Sequence, residues 1–101
     1  MALRSRLGLD EILRSIAPNV YFQPPETIKI KYPCIVYSLD DVDIDYADNL
    51  PYMITKRYQL TVIDKDPDST IRDEVILLPK CSFVRAFTSD NLNHYVFQIY
   101  Y

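Results

Sequence analysis

CIVYSLDDVDIDY, Cys34 to Tyr46, and the returning stretch ITKRYQLTV, Ile54 to Val62, decide the fold. Cys34 to Leu39 is a β-branched and aromatic run of the kind that sits in the middle of a sheet, covered on both faces. From Asp40 onward the pattern becomes strict alternation: Asp41, Asp43 and Asp45 project one way, and Val42, Ile44 and Tyr46 the other. The strand is expected to leave the core there and to acquire one wet, acidic face. Ala47-Asp48-Asn49-Leu50-Pro51 is rich in turn formers, and beyond it Ile54, Tyr58, Leu60 and Val62 alternate with Thr55, Arg57, Gln59 and Thr61. A long β-hairpin follows. Lys56 falls on its mostly apolar face near the tip, where the ammonium can reach water.

On the N-terminal side, Leu9, Ile12, Leu13 and Ile16 have the i, i+3, i+4, i+7 spacing of one helical face. Met1 to Leu7 reads either as an early turn or as a separate arm, since Gly8 interrupts and Leu3 and Leu7 lie on another face. Pro18 and Asn19 end the helix, because proline lacks the amide that continuation needs. Val20 to Phe22 is a short strand, Gln23-Pro24-Pro25-Glu26 is extended and exposed, and Thr27 to Tyr32 alternates Ile28 and Ile30 with Lys29 and Lys31 as a further short strand. On the C-terminal side, Asp64 to Ser69 opens a second helix with an aspartate cap and Pro67 at the first helical position. Ile71, Val75 and Leu78 mark its buried face and Pro79 stops it. Cys81 to Phe87 and Leu92 to Tyr101 are two more strands, joined by the turn formers Thr88 to Asn91. The expected architecture is one α+β domain over residues 1–101: a mainly antiparallel sheet with two helices on one face.

The whole chain has 101 residues, 49% of them hydrophobic, which suffices for one domain and not for two. Eleven Lys and Arg against fourteen Asp and Glu leave a charge of −3, so bulk positive charge for holding nucleic acid is absent. The longest apolar run falls far below the roughly 18 residues of a membrane span. The basic N-terminus has no apolar core behind it, so the chain reads as made and kept in a cytosol. A single glycine rules out the Gly-rich loops that cradle phosphates. Nine tyrosines with no tryptophan favour strands and interfaces.

Chemistry-bearing patterns are sparse. Asp41-Val-Asp43-Ile-Asp45 and Asp64, Asp66 and Asp68 have the one-three-five spacing of a calcium loop. Both lack the turn glycine and the bidentate glutamate, having Tyr46 and Tyr52 in one case and Ser69 and Val75 in the other. Neither is read as a metal site, and no cofactor is expected. Cys34 and Cys81 read as buried apolar thiols. His94 is the only histidine, and no spacing links it to either thiol as a catalytic pair, so no enzyme activity is expected. The five aspartates between Asp40 and Asp48 fit a solvated hairpin face, or a channel-lining ring if copies surround a duplex.

Tyr32 to Tyr37, the turn Tyr46-Ala-Asp-Asn49, the block Tyr58 to Ser69 and the closing Asp90 to Phe97 resemble the tail-terminator or tail-completion proteins of long-tailed bacteriophages. The resemblance extends from the first helix to the last strand and lies in layout and phrase, with no catalytic signature. It implies a small α+β protomer that forms a ring, hexameric in the family, which caps the tail tube, halts its growth and docks on the neck of the DNA-filled head. The implied partners are further copies of the chain, the tail tube protein and a head-neck connector. Genomic double-stranded DNA would pass through without specific binding, and no membrane is involved. The implied location is the virion tail or neck, after assembly in the host cytoplasm. Under this resemblance Asp41, Asp43 and Asp45 are expected to face the channel, and Asp48, Asn49, Leu50, Pro51 and Tyr52 a neighbouring ring. The alternatives are another connector component, a stopper or adaptor ring, or a small ligand-binding or hydrolytic domain using His94.

Overall fold

The computed structural model describes residues 5–101, apart from the side chains of residues 51 and 52. Helix α1 spans Arg6–Ile16, strand β1 Val20–Phe22, β2 Cys34–Ala47, β3 Leu50–Asp64, helix α2 Thr70–Val75, β4 Cys81–Ser89 and β5 Leu92–Tyr100. The five strands form one sheet in the order β1-β2-β3-β5-β4. β1 runs parallel to β2, and every other neighbouring pair is antiparallel. The architecture is α+β, with a mainly antiparallel sheet and two helices.

α1 begins where Ser5 accepts a hydrogen bond from the Leu7 amide, so residues 1–4, which held most of the expected turn or arm, lie outside the described residues. Gly8 does not interrupt the helix. A Cβ at that position would collide with the Tyr101 hydroxyl, so the chain's only glycine permits a close approach of α1 to the end of the sheet. Leu9 and Leu13 are fully buried, whereas Ile12, expected on the same face, is 37% exposed at its margin. Together with Ile71 and Val75 of α2 they pack on Ile35, Tyr37, Tyr58, Leu60, Val62, Tyr95, Phe97 and Ile99. These strand residues share one face by register, so both helices cover the same side of the sheet. Phe22, Tyr37 and Tyr58 meet ring to ring within this core, with centroids 4.9 to 6.5 Å apart.

Tyr37 joins helix to sheet. Its buried hydroxyl donates to Asp10 Oδ1 at 2.6 Å and accepts from Arg6 Nη1 at 2.9 Å, while Arg14 Nε reaches Asp10 Oδ2 at 2.6 Å. Burial, and then the Asp10 carboxylate, push the Tyr37 phenol up to about 12. For Asp10, burial raises the carboxyl, but the Tyr37 hydroxyl and the Arg14 and Arg6 guanidinium groups together outweigh it and hold it below its ordinary value.

Further expectations are corrected. Thr27 to Tyr32 forms no strand; it is an exposed loop held by the Lys31 amide on the Tyr21 hydroxyl and by Asn19 on the Pro33 carbonyl. Asp64 and Pro67 do not open α2. Asp64 and Asp66 accept from the amides of Asp66 and Asp68, and the cap is the buried Ser69, which accepts from Arg72 N three residues on. α2 also ends at Val75, well before Pro79, and the chain continues in single turns through Leu78. Finally, Cys34 to Leu39 is flanked by strands on both sides, but helices cover only its Ile35 and Tyr37 face; on the other face Cys34 is fully buried, and Val36 and Ser38 are half-buried.

Tyr37→Phe should lower stability by about 1–3 kcal/mol in urea unfolding, because it strips the half-buried Asp10 carboxylate of its hydroxyl donor. Since the folded-state carboxyl of Asp10 is depressed, the stability it lends is complete above about pH 4 and fades as pH falls through its folded value. Asp10→Asn should therefore flatten the acid limb of the stability profile.

Candidate functional site

β2 and β3 have 14 and 15 residues, whereas β1 pairs only with Ile35 to Tyr37, and β5 pairs with β3 only from Arg57 onward. Beyond those points the hairpin continues as a two-stranded arm, and the molecule measures 52 × 29 × 23 Å. The arm pairs Asp41 with Arg57, Val42 with Lys56, Asp43 with Thr55, Ile44 with Ile54 and Asp45 with Met53. Asp48 and Asn49 make the tip as a two-residue turn with φ of 52° and 64°. Their short polar side chains tolerate this left-handed backbone, which matches the twist of a hairpin.

At the base of the arm the register shifts between Leu39 and Asp41, leaving Asp40 as an extra residue. The bulge reverses the parity of the strand. Ile35, Tyr37 and Leu39 share the core face below it, and Val42, Ile44 and Tyr46 continue that face above it. The bulge is fastened by Asp40 Oδ2, which accepts from Arg57 Nε at 2.8 Å and from Gln98 Nε2 at 3.2 Å. The Arg57 guanidinium is held more firmly charged by the Tyr100 hydroxyl and then by Asp40.

Asp41, Asp43 and Asp45 do share one face and are all exposed, as expected. The opposite face is not buried, however. Leu39, Val42, Ile44 and Tyr46 are 42, 40, 37 and 65% exposed, so an apolar strip extends the core face into solvent. Lys56 lies on this strip, at the root of the arm beside Val42 rather than near the tip as expected, its ammonium 5.9 Å from the Tyr58 ring centroid. Asp48, Asn49 and Leu50 are exposed at the tip, and the side chains of Pro51 and Tyr52 lie outside the described residues.

The outer edge of β2 is open along the arm. Below it, the outward amides of Ile35 and Leu39 donate to the Asn19 carbonyl and to Gln23 Oε1. Above the bulge the Val42 amide is met by the carboxylate of Asp41, and no strand among the described residues pairs with this edge. β4 forms the opposite edge of the sheet, with Phe83, Val84 and Phe87 at 47, 48 and 42% exposure. Two unlike edges are thus presented by one protomer.

The residues of the hydrolytic alternative are not brought together. His94 Nδ1 lies 3.1 Å from the Leu92 carbonyl, and its ring stacks on Phe87 at 4.7 Å. Cys34 is in the same cross-strand row but with Ile63 between them, two strand spacings or about 10 Å away. Burial, and then Asp64, push the Cys34 thiol up to about 11; burial also raises Cys81, which faces the helix side. Among the described residues no three acidic, His or Cys side chains are grouped to hold a metal ion, and no helix is long and apolar enough to cross a membrane. A groove of about 190 Å³ between Leu9, Ile12, Pro79 and Tyr100 is smaller than the roughly 300 Å³ at which small-molecule pockets begin.

No family model, curated protein or solved structure matches this chain. The arm, with its apolar strip, acidic face and open edge, is the candidate site, and what it offers is recognition.

With the thiol near 11, roughly one Cys34 in a thousand is ionised at pH 8. Cys34 should therefore stay silent to a disulfide reagent in the native protein and react fully only in denaturant; rapid native labelling at this position would contradict its burial.

Proposed function

We propose that this chain is a structural assembly protein of the tail-terminator kind: copies join into a ring that caps a tail tube, ends its growth and presents a docking surface for the head-neck connector. The single observation that carries the reading is the arm, a two-stranded projection with an uncovered apolar strip. A monomer gains nothing from exposing Val42, Ile44 and Tyr46 together, whereas an assembly buries them at about 25 cal/mol for each Å². The two unlike edges fit a head-to-tail contact, which closes into a ring when the rotation per copy is right. The resemblance in sequence layout supplies the identity of the assembly, and the arrangement of β2 and β3 supports it through the length of the hairpin. No covalent step belongs to this function; its mechanism is burial of interface area.

Light scattering on the purified protein, together with negative-stain images of phage tail tubes assembled with and without it, tests the proposal. The expected result is a closed ring, in solution or at tube ends, and tubes of limited length. Protein that stays monomeric and leaves tubes growing would overturn it.

A further inference from the structure

The arm and the loop from Thr27 to Tyr32 carry complementary versions of one pattern. Along the arm, β2 reads Val42-Asp43-Ile44-Asp45, and the loop reads Ile28-Lys29-Ile30-Lys31. Strand alternation places Val42 and Ile44 on the apolar strip and Asp43 and Asp45 on the acidic face. A segment extended along the open edge of β2 would lay Ile28 and Ile30 beside the apolar strip and Lys29 and Lys31 beside the aspartates. Residues side by side on neighbouring strands interact directly, and opposite charges there are favourable.

The loop cannot make this contact within its own chain. Lys31 is tied to Tyr21, which is paired with Val36, and Pro33 is tied to Asn19. Asp43 lies seven residues further along β2 than Val36, on the order of 23 Å at strand rise. Yet the loop is presented for a partner: Ile28 and Tyr32 are 45 and 39% exposed, Lys29 and Lys31 are exposed, Ile30 is half-buried, and no strand among the described residues pairs with the segment.

We propose that the arm of one copy receives the Thr27–Tyr32 loop of the next as an added strand, with Lys29 and Lys31 neutralising Asp43 and Asp45. This deepens the ring reading and rests on it. The contact joins two different patches, so each copy gives a loop and receives one, as ring growth requires. It also sets Asp43 and Asp45 against a neighbour's lysines, where the channel-facing placement would leave them bare toward a lumen. The two placements give opposite results on charge reversal.

The test compares four proteins by analytical ultracentrifugation at low salt, each checked for native circular dichroism: wild type, Asp43→Lys with Asp45→Lys, Lys29→Asp with Lys31→Asp, and the chain carrying all four changes. All four positions are solvent-facing, so folding is expected to survive. Each reversed pair alone should weaken association about tenfold or more, and the combined chain should recover assembly close to wild type. Assembly unchanged in either reversed pair, or no recovery in a folded combined chain, would overturn the loop-to-arm contact while leaving the ring reading standing. A wild type that forms no oligomer, alone or on tail tubes, would bring down both.

Discussion

Coverage is the constraint from which the rest of this structure follows. α1 has 11 residues and α2 has 6, so together they provide about 25 Å of helix at 1.5 Å per residue. β3 alone has 15 residues and extends about 50 Å. Two short helices can bury only the lower half of such a hairpin. The upper half stands in water on both faces, and its apolar side chains meet one another across the two strands but are covered by no helix among the described residues. A shorter hairpin on the same two helices would make a closed, unremarkable α+β domain.

Within the covered half, placement of α1 depends on a polar junction set at the edge of an apolar core. The Tyr37 hydroxyl meets Asp10 and Arg6, and Asp10 also holds Arg14, whose Nη2 reaches the Val20 carbonyl. One carboxylate thereby aligns the helix with β2 while the last turn of α1 is anchored to β1. Charge at this depth is tolerable because each group has a partner, and no buried side-chain polar atom among the described residues lacks one. The junction also orients the base of the arm, since Tyr37 precedes the Asp40 bulge by three residues. Gly8 contributes by subtraction: its bare Cα lets α1 approach Tyr101, whose amide is bonded to the Lys56 carbonyl at the arm's root.

Much of this was legible in the residues. The hairpin, a turn within Ala47 to Pro51, the first helix and the placement of both helices on one face follow from periodicity and turn chemistry. The parity reversal is also written there: apolar residues fall at 35, 37 and 39 and then at 42, 44 and 46, so one extra residue, Asp40, has to be absorbed by a bulge. Other features depended on distant partners. Alternation in Thr27 to Tyr32 is a strand pattern without a neighbouring strand, and β structure needs a ladder that only the tertiary fold supplies. The start of α2 offered Asp64, Asp66 and Ser69 as competing caps, and the aspartates were engaged locally by the next amides. As for the site, the shared face of Asp41, Asp43 and Asp45 was readable, but the exposure of the opposite face was not, because it depends on where the helices stop.

Open strand edges invite indiscriminate pairing, and the charges on the arm determine which pairings are tolerable. Arm against arm would bring aspartate rows side by side, and like charges in that position are unfavourable. The Asp41 carboxylate already occupies the first outward amide above the bulge, which further discourages a symmetric partner. A basic, alternating segment meets no such penalty. Under the proposed loop-to-arm contact, the acidic row would act as a filter that rejects a two-fold dimer through the arms and admits a head-to-tail contact with a different patch. Once a contact is of that kind, the number of copies is no longer set by chemistry. It would be set by the angle between arm and loop, to which the bulge at Asp40 and the Asn19 bond to the Pro33 carbonyl contribute, so a single bend in one strand would govern whether copies close into a ring or run on as a filament.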